Sequence, residues 1–263
     1  MRFRLKSGLT LRYITRGAGR PVVLMHPVGL RAEFWLPVIA ELEHQYRLLA
    51  IDARGHGESD FDGPFKLDDL ARDAAELVRA VGLGPAVFAG CSMGGMVAQG
   101  VAALAPELAS GIVIANTTFT RDDQGRAMIE QRAVQAEKGM PVVLPSTLAR
   151  WFNAQCQLNR PDLVLRARDW LLANDPAVHA IAWRAIRDLD FADALRKSGV
   201  PKLCVAGAED QSAAATAVRQ MAHDLPHAHY REIAGAGHLA PLEEPQEFAA
   251  LLREFIEGLP KQG

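Results

Sequence analysis

The chain opens on a two-residue alternation: Phe3 and Leu5, a Ser7-Gly8 break, then Leu9, Leu11 and Tyr13. This period predicts strands with one buried face, and the break between them predicts an antiparallel hairpin. Beyond it the pattern changes to short apolar runs at Val22 to Met25, Leu48 to Ile51, Ala86 to Ala89, Gly111 to Ala115 and Leu203 to Ala206, each bounded by Gly, Pro, Asp or Asn. Runs too short for a helix and without a polar face predict strands buried on both sides, as in a parallel sheet. Helical period fills the gaps at Phe34 to His44, at Leu67 to Val81 with Leu70, Ala74, Leu77 and Val78 on one face, and at Ser92 to Ala105. A last strand near His229 to Ile233 and a helix from Pro245 to Glu257, with Phe248, Leu251, Leu252 and Phe255 inward, close the series. The βαβα order predicts an α/β fold with a mostly parallel eight-stranded sheet flanked by helices.

The interval from about Thr118 to Ser198 breaks this rhythm. It is helical throughout, carries Trp151, Trp170 and Trp183, and is followed by a return to strand. We expect residues 118–198 to form a helical cap inserted into one core made of 1–117 and 199–263. Ligands of open parallel sheets bind outside the carboxyl ends of the strands, where such a cap would lie.

Composition narrows the partners. Hydrophobic residues make up 49% and charged residues 23% of 263 positions, a globular composition. A formal charge of -2 carries no basic excess, so neither nucleic acid nor an anionic membrane is expected as a partner. Residues 80–106 hold no charge, but Gly82, Gly84, Gly90, Gly94, Gly95, Gly100 and Pro85 interrupt them, which predicts strand, turn and helix rather than a membrane span. Cys91, Cys156 and Cys204 form no C-x-x-C pair, and Met1 to Lys6 leads into no apolar signal region; both point to the cytoplasm. His227 and His229 could pair on a metal, but no third ligand has sensible spacing, so no metal is expected.

The chemistry concentrates in Gly90-Cys91-Ser92-Met93-Gly94, which follows an apolar strand and precedes a helix. A serine between glycines two residues away on either side, at a strand-to-helix turn, is the nucleophile elbow pattern. With seven serines and 22 glycines in the chain, chance supplies roughly 0.05 such matches. A serine hydroxyl needs a base, and the base needs an acid to orient it. Asp210 follows the strand ending at Ala206, and His238 lies in the glycine-rich loop after the last strand, so both fall at strand ends. Adjacent Glu209 is the rival acid. Two backbone N–H donors should meet the developing oxyanion: Met93 after the nucleophile and Val28 in the turn His26-Pro27-Val28-Gly29, since Pro27 has no N–H.

Taken together, the His26-Pro27-Val28-Gly29 turn, Asp52-Ala53-Arg54-Gly55-His56-Gly57-Glu58-Ser59, the elbow, Asp210 and His238 resemble the α/β-hydrolase fold over essentially the whole chain. Asp52 to Ser59, Gly94 to Gln99, Arg150-Trp151-Phe152 and Gly237 to Ala240 are most similar to 3-oxoadipate enol-lactonases. The resemblance implies hydrolysis of a small carboxylated enol-lactone or ester by water, without a cofactor. The same fold also hosts carbon-carbon bond hydrolases of meta-cleavage products, carboxylesterases, perhydrolases and non-catalytic ligand binders. After the acid, where the family commonly has a Thr-Pro-Pro-like turn, this chain reads Gln211-Ser212-Ala213-Ala214. An anionic substrate needs a cation, for which Arg150 and Arg31 are candidates, and Trp35, Phe119, Met140, Trp151 and Trp183 are candidate pocket walls.

Overall fold

The computed structural model describes residues 1–260, so the last three positions of the expected core range lie outside the described residues. The predicted hairpin is β1 (Arg2–Arg4) and β2 (Thr10–Arg16), paired antiparallel. The apolar runs become β3 (Arg20–Met25), β4 (Tyr46–Ile51), β5 (Ala86–Cys91), β6 (Ala109–Ala115) and β7 (Lys202–Gly207), followed by β8 (Ala228–Ile233). They form one sheet in the order β1-β2-β4-β3-β5-β6-β7-β8, parallel from β4 to β8 and antiparallel where β2 meets β1 and β4. The central strands are buried on both faces, which is why their sequences show no alternation. The chain runs from β3 to β4 on one side, then crosses to β5 on the other. This reversal opens a crevice beyond the carboxyl ends of β3 and β5.

Helices cover both faces: α1 (Leu36–Leu42), α2 (Leu67–Ala80) and α3 (Met93–Leu104). The helix expected from Phe34 is in fact two pieces, a 3-10 turn over Ala32–Trp35 and then α1, with Pro37 in its first turn. Proline lacks the N–H a helix interior needs but costs nothing at a helix start, so the break falls there.

Between β6 and β7 the described residues form α4 (Asp123–Glu137), α5 (Met140–Trp151), α6 (Ala154–Asn159), α7 (Pro161–Leu172), α8 (Pro176–Arg187) and α9 (Ala192–Lys197). The one β contact in this interval is an isolated bridge between Thr120 and Asp190, at its two ends. Asp122, Asn153 and Asp175 accept backbone N–H groups as N-caps of α4, α6 and α8, which explains where those helices start. The core then closes with α10 (Ala215–Asp224), α11 (Ala240–Glu243) and α12 (Pro245–Gly258), the last burying Phe248, Leu252 and Phe255. Among the described residues no helix is long and apolar enough to cross a membrane.

Candidate active site

The turn from β5 to α3 is built on a backbone conflict. Ser92 adopts φ 53° and ψ −119°, a region that a residue with a side chain rarely occupies. Flanking glycines make it possible: a Cβ on Gly90 would lie 2.0 Å from the Gly94 carbonyl oxygen, and one on Gly94 would lie 1.9 Å from that of Met25. The Ser92 N–H donates to the Ala115 carbonyl at 2.8 Å, tying the turn to β6. Ser92 therefore stands at the strand end, facing a cavity of about 160 Å³ that His238 and Val28 also line. Met93, the first residue of α3, adds a backbone N–H that has no acceptor within its own helix.

Asp210 and His238 end in the same place from different strands. The His238 Nδ1 lies 2.9 and 3.0 Å from the two Asp210 carboxylate oxygens. Asp210 Oδ1 also accepts the N–H groups of Ser212 (2.7 Å) and Ala213 (3.0 Å), while Oδ2 accepts Asn116 Nδ2 at 3.0 Å. Burial pushes this carboxyl up, but His238, Asn116 and the Ala213 N–H outweigh it and hold its pKa below the usual carboxylate value. The Gln211-Ser212-Ala213 turn thus holds the carboxylate through its backbone, without prolines. Glu209 is exposed, and Asp210 alone of the pair is bonded to His238.

The His238 loop is pinned on several sides. Glu243 accepts the N–H groups of Gly237 and Leu239, which flank the histidine, each at 3.1 Å. Burial drives the Glu243 pKa up to about 7 against those donors. The His238 N–H donates to Trp151 O at 2.9 Å, and Asn153 Nδ2 donates to Gly235 O at 2.7 Å, joining the loop to the helical interval. Cys91 is fully buried at the end of β5, and its Sγ donates to the His238 carbonyl at 3.5 Å.

The turn after β3 is held by His26, whose Nδ1–H donates to Pro27 O (2.7 Å) while Nε2 accepts the Ala53 N–H (3.0 Å). His56 packs on it at 5.2 Å between ring centroids, and His179 of α8 approaches the same turn at Gly29. Burial depresses all three, His26 to about 4, His56 to about 3 and His179 to about 3. The unfolded chain therefore takes up these protons near pH 6.5 while the folded chain does not. Stability conferred by the three neutral rings is full above pH 6.5 and is lost as pH falls toward the folded values. The slope approaches about 1.4 kcal/mol per pH unit for each ring. We expect the urea midpoint to fall steeply between pH 6.5 and 5, and His56→Asn to flatten that slope by about one ring's share. An unchanged slope in the variant would contradict this account.

A family model described as Alpha/beta hydrolase family matches residues 22–251. The chain belongs to that family. Among individual proteins, it is 29% identical over 259 residues to (E)-2-((N-methylformamido)methylene)succinate hydrolase of Acinetobacter baylyi, covering 97% of each chain. It is 27% identical to 3-oxoadipate enol-lactonase 2 of the same organism, covering 94% of each. The solved enol-lactonase of Burkholderia xenovorans LB400 superposes with a TM-score of 0.90 at 25% identity, covering 98% of this chain and 100% of the other.

Within this alpha/beta hydrolase, Arg150, Trp151 and Trp183 line the cavity with Ser92, but four expected pocket residues do not. Trp35 is fully buried, edge-on to Phe34 at 4.9 Å and against Phe248 of α12. Arg31 is held by Glu33 at 2.8 Å and Glu58 at 3.0 Å, so its charge is already paired. Phe119 turns toward α9, with the Arg196 guanidinium 5.3 Å from its ring centre. Met140 is buried at the start of α5, outside the lining.

Sequence reading also missed residues. Asn116 is fully buried with φ 53°, a conformation asparagine tolerates better than most, and it directly follows an apolar run, which was a usable signal. Arg121 and Arg132 line the cavity, but nothing in their local sequence distinguishes them from other arginines of the interval.

Proposed function

We propose that this protein is a serine hydrolase of a small anionic lactone or ester, with 3-oxoadipate enol-lactone as the leading specific substrate. Ser92 is the nucleophile, His238 the general base and acid, and Asp210 the group that orients the imidazole. The observation that carries this reading is His238 bonded through Nδ1 to Asp210 while sharing a cavity with Ser92 on its strained turn. With Nδ1–H donated to the carboxylate, Nε2 is left as the basic nitrogen.

Ser92 Oγ attacks the carbonyl carbon and its proton passes to His238. The oxyanion is met by the backbone N–H groups of Met93 and Val28. The tetrahedral intermediate collapses, the acyl–oxygen bond breaks, and His238 returns the proton to the leaving oxygen. For an enol-lactone the ring opens and the released enol becomes a ketone. Water, deprotonated by His238, then clears the acyl-enzyme. These steps draw on side chains, backbone and water, so small substrate and water are the partners we assign. Residues 118–198 act as the cap that excludes solvent, not as an independent domain. The unpaired thiols of Cys91, Cys156 and Cys204 suit work in the cytoplasm.

The cavity, about 160 Å³, is small beside the roughly 300–1,000 Å³ of sites for drug-sized ligands, which favours a compact substrate. The test is kcat/KM across enol-lactones, simple aryl esters and meta-cleavage diketones. We expect lactones or esters to exceed diketones by at least about 10²-fold. A preference for the diketones would replace this reading with carbon-carbon bond hydrolysis.

A further inference from the structure

Three guanidinium groups share the cavity with Ser92 and His238: Arg121 before α4, Arg132 on α4 and Arg150 on α5. No aspartate or glutamate is among the lining residues, and among the described residues none of the three is paired with a carboxylate. Acids are within reach of this helix pair. Glu130 and Glu137, on α4 with Arg132, bond instead to Arg184 and Arg187 of α8.

A guanidinium carries five N–H donors. Arg121 commits one to the Ile186 carbonyl (3.1 Å), Arg150 one to Thr147 Oγ1 (3.2 Å), and Arg132 one to the Met128 sulfur (3.8 Å). The Arg132 guanidinium also lies over the Trp183 ring, 5.1 Å from its centre, a contact that does not neutralise it. All three are half-buried. Burial and the proximity of Arg132 lower the pKa of Arg121 to about 10 and of Arg150 to about 10. Like charges gathered in a desolvated place are costly unless an anion joins them.

We propose that the substrate carries two free carboxylates, both held by Arg121, Arg132 and Arg150. The inference rests on the hydrolase reading for the role of the cavity but displaces its leading substrate: 3-oxoadipate enol-lactone keeps one free carboxylate, its other carboxyl being the lactone acyl group, so a lactone or ester with two carboxylates outside the scissile bond is preferred over it. The charge count decides between one carboxylate and two. A mono-acid leaves two of the three positive charges uncompensated, whereas a di-acid leaves one. Position supports two subsites. Arg121 lines the inner cavity alone, while Arg132 and Arg150, with Met128 and Trp183, also line an outer groove of about 400 Å³. The scissile bond at Ser92 is therefore approached by one carboxylate inside the cavity and one at its mouth. Planar guanidinium forks suit carboxylates bidentately, which fixes the orientation of the acid as well as its affinity.

Calorimetric titration of the wild-type protein tests this without turnover, using succinate, glutarate and adipate beside their monomethyl esters. At least one di-acid should bind tenfold or more tightly than its half-ester, and the preference should weaken with added salt. Arg132→Gln and Arg150→Gln should each reduce that preference at least tenfold, with Arg132→Lys retaining part of it. Circular dichroism melts show that the variants are folded, and a variant that fails to fold is replaced by the Lys version. Equal binding of acids and half-esters, or no binding of any di-acid, overturns the proposal while leaving serine hydrolysis standing. Labelling of Ser92 by a fluorophosphonate probes the hydrolase reading separately. Absent labelling with intact di-acid preference would sink that reading and keep this one.

Discussion

Ser92→Ala is expected to lower kcat on a simple aryl ester by on the order of 10⁶-fold, the size of loss seen when the nucleophile of a triad on another fold is removed. Both residues carry a Cβ, so the strain at φ 53° is the same in either. The glycines that accommodate the turn are untouched, and the Ser92 N–H still reaches Ala115. Only the hydroxyl leaves, from a position facing the cavity. The melting temperature should therefore stay within about 2 °C, a shift of about 1 kcal/mol or less for a chain this size. Residual turnover above water would come from the Met93 and Val28 donors and from binding. The control is the fluorophosphonate adduct, present on the wild-type Ser92 peptide and missing in the variant. A variant as fast as wild type would place the nucleophile elsewhere.

The parts legible in the sequence are those whose physics is local. Parallel strands buried on both faces must be apolar without interruption, so β3 to β7 are visible as runs. The elbow is visible because steric conflict at Ser92 demands glycine at fixed spacing. Asp210 and His238 follow from their positions just beyond strands. Pocket walls are a different case, because lining depends on how helices distant in sequence pack. Trp35 and Trp183 look equally suited to a pocket, yet one packs on α12 and the other meets Arg132 at the cavity. The interval 118–198 holds ten arginines, and only the pairing of Glu130 with Arg184 and Arg187 shows that Arg132 is left without that carboxylate.

Asp210→Asn should lower kcat by about 10⁴-fold, as the corresponding change does in a triad of another fold, through the wrong imidazole tautomer. This structure gives the tautomer argument a specific form. Oδ1 is fixed as an acceptor by the N–H groups of Ser212 and Ala213, so the oxygen of an asparagine must take that position. Its NH₂ then replaces Oδ2, where it faces two donors, Asn116 Nδ2 at 3.0 Å and His238 Nδ1 at 2.9 Å. Nδ1 also lies 3.0 Å from Oδ1, but that oxygen already accepts two N–H groups, so the histidine relieves the clash by giving up its Nδ1 proton, which moves to Nε2 and removes the base from Ser92. Asn116 stays opposed by a donor, so a stability loss of about 1–3 kcal/mol should accompany the loss of rate. KM should change little, because Asp210 lies behind the imidazole rather than against the cavity. Glu209→Gln is the internal control, since that side chain is exposed and should leave kcat within about threefold. A drop of less than tenfold in Asp210→Asn, with a large one in Glu209→Gln, would transfer the orienting role to the neighbouring carboxylate.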